Sequence, residues 1–93
     1  MFDVSQKENG LIILSGRFDA SQVDKAKEVF NTINDNCTVD FKDLEYIASA
    51  GLGVLLMTQK RLKDIGRGLK LVNMNKHISD IFLYAGFNAL FDL

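Results

Sequence analysis

The sequence has no proline and no tryptophan, and only one cysteine and one histidine among its 93 residues. The single cysteine, Cys37, excludes an internal disulfide framework. One cysteine and one histidine are too few for a conventional structural zinc site, so we predict no metal, and nothing in the sequence calls for a cofactor. The longest apolar stretch, roughly 50–57 with two glycines in it, is far too short for a bilayer span, so we expect no membrane insertion.

Net charge is also nearly absent. Eleven basic and twelve acidic residues leave a formal net charge of −1. So small a charge gives no general attraction to nucleic acid or to an anionic membrane surface. Residues 1–5 have neither the basic nor the apolar region of a signal peptide. We therefore expect a cytoplasmic protein that binds no nucleic acid.

The remaining composition is that of an ordinary globular chain. Hydrophobic residues make up 47% and charged residues 25%, which excludes a collagenous, mucin-like or disordered protein. No low-complexity tract, repeat or linker-like change of composition interrupts the chain. A length of 93 residues then predicts one domain, covering 1–93.

Hydrophobic spacing and turn signals predict strands and helices in the order β-β-α-β-α-β-α-β. The strands are predicted at 2–8, 11–15, 37–41 with a return at 44–47, 69–74 and 87–91. Asn9-Gly10 predicts a hairpin between the first two strands. The helices are predicted to start with a capping box at 21–24, with Ser49 as N-cap, and with Asn75 as N-cap. The alternation predicts an α/β fold with a mainly parallel sheet of four to five strands and an antiparallel N-terminal hairpin edge.

No catalytic residue is indicated, so we do not expect an enzyme. His77 stands alone and is interpreted as a surface residue. Asp40, Asp43 and Glu45 flank a strand end, where acidic residues commonly satisfy turn amides, and the chain is too short to enclose a sugar cleft. Cys37 lies in an apolar strand with no base beside it and is interpreted as a small core residue.

Two patterns could indicate binding of phosphate or nucleic acid. Gly51 and Gly53 match the first two glycines of a dinucleotide fingerprint, but Leu56 takes the third position and no P-loop lysine follows. The alternative is that both glycines let a helix pack closely on a strand. The basic run between residues 60 and 70 is better explained as a solvated helix end, because no aromatic residue is interleaved with it. Function as a small nucleotide-binding domain therefore remains one alternative hypothesis.

Ser49 is placed where a strand ends and a helix begins. Helix N-termini expose unpaired amides and partial positive charge, and acidic residues usually fill the first turn. Here the first turn holds only residues 50–53, which carry no charge. A phosphate on Ser49 could be held by these amides while it changes the surface charge by nearly two units. Alternatively, Ser49 is only an N-cap that stabilises the helix by about 1 kcal/mol.

Three segments resemble the signature of STAS domains, and more closely that of bacterial anti-sigma-factor antagonists. Residues 39–56, VDFKDLEYIASAGLGVLL, match an apolar strand, an acidic-Leu turn, an aromatic-apolar pair and a Ser-Ala-Gly-Leu-Gly helix start. Residues 16–19, GRFD, resemble the family's Gly-x-Leu-Asp. Residues 81–87, IFLYAGF, resemble its apolar third helix with a glycine turn. The resemblance extends over nearly the whole chain and implies a single STAS-like domain.

The resemblance implies a regulatory protein that acts by partner switching. In such proteins the unphosphorylated form binds an anti-sigma factor, itself a serine kinase, and so frees a sigma factor. Phosphorylation of the residue matching Ser49 breaks that contact, and a dedicated phosphatase restores it. The implied partner-binding residues are Asp19, Tyr46, Ala48, Ser49, Ala50, Gly51 and Leu52. Asp19 and Ser49 both follow strand ends and should share one edge of the sheet.

The sequence departs from the family pattern at two places. Ala48 stands where the family usually has Asp, and the family's C-terminal helix is missing after residue 91. We therefore expect an uncovered apolar patch at Phe87, Leu90 and Phe91, and a weak homodimer or a partner covering it. These departures leave an alternative function open: a STAS-type interaction subunit of a lipid-transport or stress-signalling assembly, without a phosphoswitch.

Overall fold

The computed structural model describes residues 1–8 and 10–91, and its four strands form one mixed sheet. The strands are β1 (Asp3–Lys7), β2 (Leu11–Phe18), β3 (Cys37–Ile47) and β4 (Leu69–Val72), in the sheet order β1-β2-β3-β4. The helices are a short 3-10 helix (Ala20–Gln22), α1 (Val23–Phe30), α2 (Ser49–Lys63) and α3 (Lys76–Tyr84). β1 is antiparallel to β2 and the other pairs are parallel, which confirms the predicted fold class.

The core lies on one face of this sheet. Each parallel connection steps to the next strand in the same direction, so right-handed crossovers bring α1 and α2 to the same face, where they contact each other. Ile12, Val39 and Leu71 stand opposite one another on neighbouring strands and are buried beneath the helices. The alternate positions, such as Ile13 and Thr38, face the other way and are only half-buried.

β3 is a single strand of eleven residues, not the two short pieces predicted from the sequence. Its register with β2 slips twice, between the Ile13 and Ser15 rows and between the Gly16 and Arg17 rows. Each slip leaves one extra residue in β3, as in a β-bulge, and turns the following side chains to the other face. The buried positions accordingly change from Phe41 to Leu44 and then to Ile47. This irregular burial concealed the continuity of the strand.

The start of α1 differs from the predicted capping box. Asp19 is the capping residue: its carboxylate accepts a hydrogen bond from the Ser21 amide at 3.0 Å and begins the 3-10 helix. α1 follows directly at Val23. The predicted cap of α3 is confirmed, because the Asn75 side chain accepts from the Ile78 amide at 2.9 Å.

The predicted strand at 87–91 is absent from the described chain. Residues 85–91 form turns, and the Phe91 amide donates to the Phe87 carbonyl at 3.1 Å. Phe91 is buried, and its ring packs edge-on against Phe82 at 5.7 Å between centroids. Burial of these aromatic rings fixes the segment without strand pairing. Residues 92–93 lie outside the described part.

The same packing corrects the expected uncovered patch. Phe91 is buried, and Phe87 and Leu90 are half-buried against the core. The segment therefore fills the face that it was expected to leave open. These three residues therefore do not form the uncovered apolar patch through which a homodimer was expected.

Candidate functional site

The ends of β2 and β3 form the edge of the sheet that carries the candidate site. The two strands end in the same row, with Phe18 opposite Ile47. Beyond that row the Ala48 amide donates to the Phe18 carbonyl at 2.9 Å. This hydrogen bond joins the residue before Ser49 to the residue before Asp19. The fold thus brings Asp19 and Ser49 to one edge of the sheet.

Ser49 is exposed and is the first residue of α2, not its N-cap. The N-cap is Ala48, whose extended backbone supplies the carbonyl for the Leu52 amide at 3.0 Å but no side-chain acceptor. The interpretation of Ser49 as a structural cap is therefore wrong, because alanine occupies the capping position. A substitution that removes the Ser49 hydroxyl should change stability by less than about 0.5 kcal/mol.

The N-terminal end of α2 carries partial positive charge that its own first turn does not balance. The amides of Ser49, Ala50 and Gly51 have no acceptor among the described residues, and the first turn of α2 contains no acidic side chain. Unpaired amides at a helix N-terminus favour a nearby anion. A phosphate attached to the exposed Ser49 hydroxyl would lie in this favourable position.

Asp19 is half-buried and held in a fixed orientation. Its Oδ1 atom accepts hydrogen bonds from both the backbone amide and the hydroxyl of Ser21. Its Oδ2 atom has no hydrogen-bond partner within residues 1–8 and 10–91. The carboxylate therefore presents negative charge at the edge that also carries Ser49.

The two glycines of α2 have different roles. A Cβ at Gly51 would lie 3.0 Å from Ile47 Cγ1 and 3.1 Å from Phe18 Cγ, so this glycine allows the helix to pack on the strand ends. A Cβ at Gly53 would meet no atom within 4 Å. The close-packing interpretation is confirmed for Gly51 and wrong for Gly53. Phe18 itself stacks on Phe2 at 4.6 Å between ring centroids, which makes its position hard to shift.

Matched alanine substitutions should separate these roles. Gly53→Ala should stabilise the fold by about 0.5–1 kcal/mol, because alanine has the higher helix propensity and meets no neighbour. Gly51→Ala should destabilise it by about 1–3 kcal/mol, because the new methyl group overpacks the contact. Urea unfolding of both variants measures the difference. Equal stability of the two variants would contradict the packing assignment.

The other predicted partner-binding residues differ in exposure. Ala50 is exposed beside Ser49, whereas Tyr46 and Ala48 are half-buried. Gly51 and Leu52 are buried, so they can shape the surface but present little of it. Their assignment as binding residues stays a prediction.

Sequence reasoning overlooked Arg17. Its guanidinium lies 4.4 Å from the centroid of the Tyr46 ring, one row before the strand ends. The available signal was its position in the GRFD segment, directly before the Phe18-Asp19 pair.

The residues considered for catalysis lie apart. Burial raises the pKa of the Cys37 thiol, which makes it a poor nucleophile. Asp40 accepts hydrogen bonds from the Lys42 amide at 2.9 Å and from the Asn73 side chain at 3.1 Å, so it organises a turn. In the described ranges, no group of three or more His, Cys, Asp or Glu side chains could hold a metal ion. Across those same ranges, every helix is too short or too polar to span a membrane.

The basic run is partly explained by contacts between elements. The Arg61 guanidinium donates to the carbonyls of Phe30 at 2.8 Å and Ile33 at 2.7 Å, so it caps the C-terminal end of α1. Arg67 pairs with Asp35 at 2.9 Å. From the sequence, these cations were expected to complement the C-terminal end of their own helix, α2. Arg61 instead donates hydrogen bonds to the C-terminal end of the neighbouring helix, α1.

Comparison with known proteins identifies the family. A family model described as "Mlab, STAS domain" matches residues 2–92. BtrV of Bordetella bronchiseptica, named as an anti-sigma factor antagonist, is 33% identical over 72 residues, which are 77% of this chain and 56% of that protein. The chain thus spans little more than half the length of BtrV. The anti-sigma-B factor antagonist of Bacillus subtilis is 28% identical over 95 residues, covering 98% of this chain and 87% of that protein.

Solved structures share the fold. SpoIIAA, an anti-sigma factor antagonist, in its unphosphorylated form superposes with a TM-score of 0.71 at 16% identity, over 90% of this chain and 83% of that chain. The phosphorylated form of SpoIIAA, a Bacillus cell fate determinant, gives a TM-score of 0.70 at 17% identity, over 97% and 87%. At such identities the likeness concerns the fold alone. The family-model match over nearly the whole chain confirms the resemblance first seen in the sequence: the chain belongs to the STAS domain family, and its relatives by sequence are anti-sigma factor antagonists.

Proposed function

We propose that this protein is an anti-sigma factor antagonist whose binding is switched off by phosphorylation of Ser49. The observation that carries the proposal is the exposed Ser49 hydroxyl at a helix start without a side-chain cap or an acidic first turn. A hydroxyl that stabilises nothing in the fold is available for modification. The partner is an anti-sigma factor that is itself a serine kinase, and a phosphatase returns the protein to its binding form.

A phosphate at Ser49 changes the surface with little change in the fold. It adds about 1.5 to 2 negative charges, which the unpaired amides of α2 partly balance. The fixed Asp19 carboxylate at the same edge adds further negative charge. An anti-sigma factor fitted to the unmodified edge then meets like charge or loses close contact. SpoIIAA, which shares the fold, has been solved both with and without phosphate, so this fold can carry a phosphorylated form.

A second candidate is a STAS-type interaction subunit of a lipid-transport or stress-signalling assembly. The observation that favours it is Ala48, which puts a non-polar residue where the family usually has an acidic one. In that case Ser49 takes part in contact only and is never modified.

The test is a capture experiment from the native cell lysate with wild type, Ser49→Asp and Ser49→Ala. Wild type and Ser49→Ala should retain a kinase-like anti-sigma factor, identified by mass spectrometry, and Ser49→Asp should lose it. Gln6→Glu is the matched control, because it adds the same charge at an exposed position of β1. Circular dichroism should show the same fold for all four proteins.

The outcomes separate the two functions. Retention of the same proteins by Ser49→Asp, with no kinase among them, would favour the interaction subunit. Loss of the kinase by Gln6→Glu as well would show a general charge effect and would contradict a switch at Ser49.

A further inference from the structure

Arg17 stands on the open face of the sheet beside the candidate site. Its side chain is exposed, and its guanidinium lies 4.4 Å from the centroid of the half-buried Tyr46 ring. The Arg17–Tyr46 row is followed by the Phe18–Ile47 row, after which the chain reaches Asp19 and Ala48. The pair therefore adjoins the edge that carries Ser49, on the face that none of the helices described between residues 1–8 and 10–91 covers.

A bulge in β3 creates this pair. Gly16 stands opposite Leu44, so regular pairing would place Arg17 opposite Glu45. The register shift after Gly16 places Tyr46 there instead. An aromatic ring holds the guanidinium in place but, unlike a carboxylate, takes none of its strong hydrogen bonds. Because of the bulge, Arg17 lies over the aromatic ring of Tyr46 and not opposite the carboxylate of Glu45.

The other two arginines of the chain show the contrast. Arg61 donates to two carbonyls at the end of α1, and Arg67 pairs with Asp35. Arg17 has no hydrogen-bond acceptor and no carboxylate partner in the part of the chain that the structure describes. It is therefore the arginine whose planar array of N–H donors stays available to another molecule.

We propose that Arg17, held over the Tyr46 ring, binds a carboxylate of the anti-sigma factor and so helps to determine which anti-sigma factor is recognised. This inference rests on the proposed function and adds a contact outside the Ser49 helix start. The ring restricts the guanidinium before binding, which lowers the entropy lost when a bidentate Arg–carboxylate pair forms. Arginine and tyrosine are also the residue types that dominate binding energy at interfaces.

The test uses the anti-sigma factor identified by capture, purified, with its affinity for the full chain measured by calorimetry at low and at moderate salt. Arg17→Glu should weaken binding by about tenfold or more and reduce its salt dependence. Arg17→Lys keeps the charge but loses the planar fork, so it should fall between wild type and Arg17→Glu. Lys70→Glu is the matched control, because it reverses the charge of an exposed residue on β4 and should change affinity less than about twofold.

Substitutions of Tyr46 test the proposed Arg17 contact independently. Tyr46→Leu removes the aromatic surface beneath the guanidinium and should weaken binding, whereas Tyr46→Phe keeps the ring and should weaken it less. A charge reversal of one anti-sigma factor carboxylate to arginine should restore the affinity of Arg17→Glu.

The possible results of these binding measurements separate a failure of the Arg17 contact from a failure of the proposed function. If Ser49→Asp abolishes binding and Arg17→Glu binds like wild type, the proposed function stands and the Arg17 contact is wrong. If Arg17→Glu and Lys70→Glu weaken binding equally, the effect is general charge and the specific contact is also wrong. If no anti-sigma factor is captured by wild type, both the proposed function and this contact fail together.

Discussion

Phe82→Ala should destabilise the protein by about 3–5 kcal/mol. Phe82 is fully buried at the centre of an aromatic group. Its ring packs edge-on against Phe41 at 5.8 Å, Phe91 at 5.7 Å and Phe87 at 6.2 Å between centroids. Removal of the ring leaves a cavity and breaks contacts that fix α3 and the C-terminal turns on the sheet.

Thermal unfolding followed by circular dichroism measures this effect. For a domain of this size a loss of 3–5 kcal/mol corresponds to a decrease of about 12 °C or more in Tm. Phe87→Ala is the control, because Phe87 belongs to the same group but is only half-buried. A decrease for Phe82→Ala no greater than that for Phe87→Ala would show that the aromatic group does not fix this part of the fold.

Gln59→Leu should destabilise the protein by about 2–4 kcal/mol although the shape of the side chain is nearly kept. Gln59 is buried in α2, and its side chain joins three parts of the chain. Oε1 accepts from the Leu69 amide of β4 at 2.7 Å, and Nε2 donates to the Leu90 carbonyl at 2.9 Å. Leucine leaves both backbone groups without partners, and unsatisfied buried groups are more costly than the bonds are stabilising.

Thr58→Val is the matched control for Gln59→Leu. Thr58 is equally buried on the same helix, but its hydroxyl bonds only to the Val54 carbonyl one turn earlier, at 2.8 Å. Its loss should change stability by less than about 1 kcal/mol. Urea unfolding measures the free energy of unfolding of each variant. Hydrogen exchange of the Leu69 amide shows whether the first residue of β4 keeps its protection. Similar stability of the two variants would contradict the bridging role of Gln59.

The order of elements and the location of the site could be predicted because local patterns agree with the fold there. The hydrophobic spacing of α2 and the turn signals between strands specify the β-β-α-β-α-β-α part of the order. The glycine at 51 indicated close packing at a strand-to-helix turn, and a Cβ there would indeed touch Phe18 and Ile47. Placement of Asp19 and Ser49 at one edge followed from the topology of parallel strands.

The remaining features depend on contacts between distant parts of the chain. The two bulges of β3 are set by pairing with β2, so the local burial pattern suggested a break near residues 42–43. Residues 87–91 have the composition of a strand, but the ring of Phe82 offers them a better way to bury their aromatic side chains. Ser49 fits the usual cap composition, yet the hydrogen bond from Ala48 to Phe18 sets the helix start one residue earlier.

The aromatic group around Phe82 also has a consequence for biosynthesis. Phe41 reaches its ring partner Phe82 only after the segment that contains α3 has been synthesised. At about 5–20 residues per second, the ribosome needs roughly 2–8 s to add the residues between 41 and 82. During that time the β1–β2 hairpin and the first crossover can form, but the nascent sheet keeps an unfilled aromatic surface. Synthesis of α3, and not formation of the sheet, therefore ends the interval in which the nascent chain needs protection from aggregation.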